Sequence, residues 1–380
     1  MPPSKMTPGP IIGAGGLLTI DLAAIAANLK MLQAKLGNSV TCGAVVKADA
    51  YGLGLAPVAR ALKNAGCDTF FVAQAAEGLA LRAILPEAEI CIFNGVDPDS
   101  AGALADAHLT PVLNHPGQIK DWREAAARVG RKLPGFLHVD TGMTRLGLSE
   151  DETVALATNS HALEGIRLTG VMSHLACADL PDHALNGEQR KHFTAACAVL
   201  APLGRVRASL ANSSGIFLGT AFHFDLARPG AALYGISPQT GNPHPMAQVV
   251  KLQGKILQTR VIDTPRTVGY GAMHRAERGR HIATVAVGYA DGYLRSLSDV
   301  ATAYMDDIPV PVVGRVSMDL ITVDVTDVAE NDARPGALVD LIGPHHSVDA
   351  LAQQAGTIGY EILTMLGTRF ERRYLGEQQL

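Results

Sequence analysis

Lys47 stands in the run Val45-Val46-Lys47-Ala48-Asp49-Ala50-Tyr51-Gly52-Leu53-Gly54. Residues 41–46 before it are short, largely apolar and β-branched at Thr41, Val45 and Val46, which predicts a strand too brief for a helix. The lysine therefore falls where a strand runs out, ahead of a loop opened by Gly52 and Gly54. At the mouth of an apolar barrel its amine would be desolvated, and the neutral form easier to populate. A Schiff-base lysine needs that condition. Seen alone, a strand-end lysine is equally an ordinary surface cation, so its company decides. Arg145, His174, Asn212 with Ser213, and Arg228 each border a strand-like run. In a parallel barrel such positions converge on the C-terminal mouth, where barrels do their chemistry.

The elements that must position these groups are legible as periodic runs. Asp21 reads as the N-cap of a helix carrying Ile25, Leu29, Leu32 and Leu36, closed by Gly37. Strand-like runs follow at 41–46, 69–73, 89–93, 109–113, 135–139, 168–173, 206–211 and 231–236. Helical stretches at 56–65, 74–84, 117–129, 150–158 and 188–201 lie between them. This alternation is that of an α/β chain, either a (β/α)8 barrel or a doubly wound sheet, and the polar residues at the strand ends select the barrel. Beyond about residue 250 the chain becomes mainly β, with runs at 252–263, 282–287, 301–305, 310–316, 320–325 and 337–342 and one helix from 348 to about 366. The expected division is a loose N-terminus at 1–13, a barrel at 14–250 and a β domain at 251–380.

Bulk properties narrow the partners. The 380 residues are 47% hydrophobic with a net charge of −4, enough for two domains with buried cores. Mild acidity gives no footprint for nucleic acid or an anionic membrane, and no run reaches the length of a membrane span. Five scattered cysteines without CxxC spacing read as reduced packing residues, and no secretory signal is laid out at the start. A cytoplasmic protein is the expectation.

The run VVKADAYGLG resembles the cofactor-lysine motif of the pyridoxal-phosphate (PLP) alanine racemases, and the resemblance recurs in blocks, in the family's order, almost to the C-terminus. It implies a barrel and a β domain, with Lys47 as the Schiff-base residue and Tyr51 lining the cofactor. Asn212 and Ser213, in Ala211-Asn212-Ser213-Ser214-Gly215, offer hydroxyls and backbone N–H groups to a phosphate, as do Gly230 and Ala231 in the next loop. Arg228 matches the residue that faces the pyridine nitrogen. An arginine donates there without releasing a proton, which favours reprotonation at Cα and hence racemisation over transamination. Tyr270, in Val268-Gly269-Tyr270-Gly271, resembles the second catalytic base, contributed in the family by a partner subunit of a homodimer and contacted by the counterpart of His174. Gly314-Arg315-Val316-Ser317-Met318-Asp319 resembles the partner's substrate loop, with Met318 binding the substrate carboxylate beside Arg145. Tyr289 matches an entrance tyrosine, and Tyr360 one that bonds the cofactor phosphate. The implied reaction is interconversion of L- and D-alanine for peptidoglycan, with no metal.

Three positions depart from the pattern. His138 stands where the family often carries a carboxylated lysine that holds the substrate arginine. A neutral imidazole cannot supply that charge, so chloride, another anion or another carboxylate is expected near Arg145. Ser209 replaces a histidine often stacked over the cofactor ring, which bears on cofactor affinity, and Ser317 replaces a common cysteine. Competing readings are a serine-preferring racemase, a decarboxylase of basic amino acids and a non-catalytic PLP carrier. The Val-Gly-Tyr-Gly and Val-Ser-Met-Asp blocks speak against the last two.

Overall fold

The computed structural model describes residues 13–159, 161–241 and 245–376. All of the expected loose start except Gly13 lies outside them. The chain divides into two compact units, one built from residues 22–247 and one joining the stretch up to Asp21 to residues 248–375.

In the first unit, helix Leu22–Leu36 ends at Gly37, whose φ of 75° and N–H bond to the Gln33 carbonyl provide the expected stop. The first barrel strand is in two pieces, Thr41–Cys42 and Ala44–Val45. Six more follow: Thr69–Val72, Glu89–Ile92, Thr110–Leu113, Leu133–His138, Ile166–Met172 and Arg207–Ser209. They pair in parallel and in chain order. The eighth, Leu226–Ala227, pairs with Thr41–Cys42, and an Asn212–Arg228 bridge ties it to the end of the seventh, which closes the ring. One buried layer fills the interior, built from Val45, Phe71, Cys91, Val112, Phe136, Met172 and Leu226. The Phe136 ring lies so close to the sixth strand that a Cβ on Gly170 would meet it at 2.1 Å, and only glycine fits there.

The eighth strand is not the run at 231–236. Ala231–Tyr234 is a 3-10 turn closed by Gly235 at φ 81°. Its apolar character comes from burial against the first helix, where Asn28 Nδ2 donates to the carbonyls of Leu233 (3.2 Å) and Ala247 (3.0 Å). Arg228 accordingly follows the eighth strand instead of preceding it.

The second unit is organised on the long strand Val250–Val261. Gly16–Asp21, read with the barrel in the sequence, pairs antiparallel with it and parallel with the final strand Glu371–Leu375. A short apolar strand carries no mark of which sheet it joins, and here both its edges are taken in this one. Leu338–Ile342 flanks the long strand on the other side and leads to Thr302–Met305 and Ile308–Pro311. Beyond a bulge at Ile256 the long strand pairs with His281–Val285, itself paired with Ile321–Asp324. The single helix expected at 348–366 is two, Val348–Ala355 and Gly359–Met365, parted at Gly356 in the left-handed region (φ 74°).

Candidate active site

The end of the first barrel strand is held on both sides, by Val45 N–H on the Pro229 carbonyl and Val46 N–H on the Phe71 carbonyl, each at 2.9 Å. Lys47 follows, half-buried. Burial lowers the pKa of its amine, the Arg145 charge lowers it further, and Glu77 opposes both. The next four residues, Ala48 to Tyr51, all lie in the left-handed region with φ between 53° and 58°. None is a glycine, and such a conformation costs about 1–2 kcal/mol per residue. Local bonds hold it: Ala50 N–H to the Val46 carbonyl, Gly52 N–H to Ala48 (2.7 Å) and Leu55 N–H to Asp49 Oδ1 (2.7 Å).

This turn delivers Tyr51 onto the ring of Tyr234, with centroids 4.6 Å apart, and Tyr234 in turn donates its hydroxyl to the Val45 carbonyl. A Cβ at Gly230 would lie 2.3 Å from the Tyr51 hydroxyl, so glycine at 230 is a packing requirement. Ser213 Oγ accepts the N–H groups of Gly230 (3.0 Å) and Ala232 (3.1 Å), fastening the loops after strands seven and eight together. Asn212 caps its own turn through Gly215 N–H at 2.8 Å. Ser213, Ser214, Gly230 and Ala231 thus share one corner, where barrels commonly hold phosphate.

Arg228 is buried beside them. Its Nη1 donates to Ser209 Oγ and its Nη2 to the Ser173 carbonyl at 2.6 Å. Ser209, the departure noted above, is therefore the residue that orients this arginine, and its own hydroxyl reaches the Leu226 carbonyl. Arg228 Nε is buried without a hydrogen-bond partner among the described residues. Desolvation pulls the guanidinium pKa down to about 9, so it keeps its charge at neutral pH. Burial, and after it the Arg228 charge, holds His138 down at about 4 and His174 well below the usual imidazole value. Both are neutral. His138 Nδ1 meets Asn114 Oδ1 at 2.7 Å, while the Asn114 amide nitrogen donates to the Phe93 and Val112 carbonyls. The network assigns the proton to His138 Nδ1. His174 is set by Gln189, which accepts Ala176 N–H and donates to the His174 carbonyl. Arg145 lies exposed in the loop after strand five, and no carboxylate of the described residues pairs with it. Asp140, earlier in the same loop, spends its oxygens on the N–H groups of Gly142, Met143 and Thr144.

In the β unit, Tyr270 opens a 3-10 turn after the hairpin strand Arg266–Val268 and is 72% exposed. Gly314 packs on the Val268 carbonyl, which brings the stretch ending at Met318 beside the tyrosine turn. The Tyr289 and Ala290 N–H groups bond the Ser317 and Met318 carbonyls, both at 3.0 Å. Arg369 clasps Asp291 with two nitrogens and Asp319 with a third, so the Asp319 carboxylate is engaged within the unit. Tyr360 lies in the first turn of helix Gly359–Met365, half exposed. Four residues sequence reading did not single out, Tyr234, Asn114, Gln189 and Glu77, carry no motif, and only their packing reveals them.

The barrel mouth fits a flat anionic ring compound with a reactive carbonyl: a partly desolvated amine, a hydroxyl-and-amide corner, and one buried donor, Arg228 Nε, still to be satisfied. Those features define a PLP-type barrel. The N-terminal domain model of alanine racemase matches residues 20–238, and the C-terminal domain model matches 249–374. An alanine racemase of Rhodospirillum rubrum is 55% identical over 96% of this chain and 97% of its own. A protein of Mesorhizobium japonicum named alanine racemase, catabolic, is 50% identical over 96% and 94%. The solved alanine racemase of Bartonella henselae, described with covalently bound pyridoxal phosphate, superposes with a TM-score of 0.89 at 41% identity, covering 95% of this chain and all of that one. The chain belongs to the alanine racemase family, whose members are PLP-dependent isomerases.

Proposed function

We propose that Lys47 and Tyr270 are the two proton-transfer groups that interconvert L- and D-alanine, in a site completed by a second copy of the chain. PLP, when bound, supplies an electron sink that acidifies the Cα proton of an amino acid attached to it. Lys47 would hold it covalently, with Ser213, Gly230, Ala231 and Tyr360 on its phosphate, Tyr51 along it, and Asn212 bracing the cradle. Arg228 would donate through Nε to the ring nitrogen and keep its proton, favouring proton return to Cα. The orphaned Nε is the observation that carries this reading. Lys47 would serve one face of Cα, where burial and then the Arg145 charge lower the pKa of its amine and make the neutral base accessible. Tyr270 serves the other.

Arg145 and the Met318 backbone would bind the substrate carboxylate, with Tyr289 and Asp319 shaping the entrance. That no carboxylate of the described residues pairs with Arg145, together with the neutral His138, supports a bound chloride or similar anion there. The exposure of Tyr270 and Met318, at 72% and 54%, supports a partner subunit that covers them. The reading also places the activity in the cytoplasm and its D-alanine in peptidoglycan. The Mesorhizobium name offers a catabolic role instead, and growth of a deletion strain without D-alanine would decide for it. The chemical assignment is tested by substitution. Lys47→Ala should abolish covalent cofactor attachment, and Tyr270→Phe should lose α-proton exchange from one enantiomer while keeping it from the other. Wild-type exchange from both in Tyr270→Phe would refute the two-base assignment.

A further inference from the structure

We propose that Glu77 is a positioning residue for Lys47, a carboxylate clamp that fixes the strained turn carrying the lysine to the end of the neighbouring strand. The proposal rests on the reading of Lys47 as the cofactor lysine and extends it to a residue outside the matched motifs.

Glu77 lies in the first turn of helix Ala75–Ile84, directly after the second barrel strand. Its Oε2 accepts the N–H groups of Ala73 (2.8 Å) and Gln74 (3.0 Å), where that strand passes into the helix. Its Oε1 accepts the N–H of Ala48 at 2.7 Å, across 29 residues of chain. Ala48 immediately follows Lys47 and is the first of the four left-handed residues. One side chain thus joins the ends of strands one and two at the point where the run of left-handed residues begins. The bonds within the turn do not tie it to the next strand, and this one does.

The donor pattern dictates a carboxylate. Three N–H groups face two oxygens, and each oxygen has at least one donor aimed at it. An amide has one acceptor oxygen and one NH2, so a glutamine would set a donor against a donor on one side. Aspartate keeps the charge and falls short by one methylene. The same carboxylate opposes the effect of burial and of Arg145 on the Lys47 amine, the charged and titratable groups around it being Arg145, Glu77 and His174. Without Glu77 the amine would hold its proton less well, and the lysine would be a weaker base in the abstraction step. The clamp therefore sets both the direction of the lysine and its proton affinity.

Two readouts test this on the full-length chain. The first is hydrogen exchange of segment 48–51, followed by mass spectrometry in the cofactor-loaded enzyme. The second is competitive labelling of the Lys47 amine against pH in the chain freed of cofactor. Glu77→Gln should speed exchange of the segment about tenfold or more and lower the half-labelling pH of Lys47 by about half a unit or more. Glu77→Asp should speed exchange similarly and move the labelling curve less, which keeps the proposal testable if Glu77→Gln does not fold. Glu152→Gln breaks the matching capping contact to Ser149 N–H on helix Glu150–Thr158 and should change neither readout. A folded Glu77 variant with wild-type exchange at 48–51 would overturn the proposal, as would Glu152→Gln reproducing both changes. Labelling does not require Lys47 to bind cofactor, so failure of the cofactor-lysine reading would show separately, in the spectrum of Lys47→Ala.

Discussion

Arg228 and His138 show how one buried charge sets its surroundings. The guanidinium is fixed by Ser209 and the Ser173 carbonyl, and it adds to the burial that already keeps both His138 and His174 neutral. Replacing Arg228 with lysine offers a shorter reach and no fork, so the bonds to Ser209 Oγ and the Ser173 carbonyl and the buried Nε donor cannot all be kept. Arg228→Lys should weaken PLP binding at least about tenfold, measured by spectroscopic titration, while the chain stays folded. His138 makes a pH prediction whose sign is fixed. Its folded pKa, about 4, lies below its unfolded value, so between roughly pH 6.5 and 4 the unfolded chain binds the proton and the folded chain does not. Stability contributed by this site is present above pH 6.5 and is lost as pH falls, by about 3 kcal/mol at most. Urea midpoints should fall across that window in wild type and fall less in His138→Asn. The polar residues at the strand ends were legible because the alternation of strands and helices fixes where each strand runs out. Asn114 and Gln189 were not. Each is a polar side chain satisfied by carbonyls that only the fold brings near.

At the scale of elements, the strand-end placement of Lys47, Arg145, His174 and Asn212 followed from periodicity, whereas two local conformations did not. The Ala48–Tyr51 turn is left-handed with no glycine in it, and nothing in Ala-Asp-Ala-Tyr announces that. Ala48→Gly should stabilise the chain by about 1 kcal/mol by relieving one strained residue, seen as a higher melting temperature. The same change should lower kcat, because the lysine is held less firmly. An unchanged or lower melting temperature would mean that the turn is not strained at Ala48. The run Ala231–Ile236 was apolar enough for a strand, and its burial under the first helix, not sheet pairing, explains that character. At the neighbouring Gly230, the Tyr51 hydroxyl leaves no room for a methyl group. Gly230→Ala should displace Tyr51 or the phosphate corner and reduce cofactor affinity several-fold by titration.

For the whole molecule, the alternation of strands and helices and the change of grammar near residue 250 were enough to separate a barrel from a β-rich unit. They could not show that Gly16–Asp21 belongs to the latter, since strand pairing across more than two hundred residues leaves no local trace. The proposed sharing of sites between copies makes a quantitative prediction. Under that proposal, homodimers of Lys47→Ala and of Tyr270→Phe would each be impaired. Mixed, unfolded and refolded together, half the dimers would be hybrids, and each hybrid would carry one intact site. About a quarter of wild-type activity should return, by statistical pairing of equal subunits. If lysine and tyrosine of one site came from the same chain, mixing would restore nothing.

The most direct test of the central claim is to incubate the PLP-loaded protein with L-alanine in deuterated water and follow both enantiomers by chiral chromatography with mass detection. The account predicts an equimolar mixture of L- and D-alanine, deuterated at Cα, with serine and basic amino acids turned over more slowly. Loaded, folded protein that leaves L-alanine unchanged, or that releases carbon dioxide from a basic amino acid instead, would contradict it.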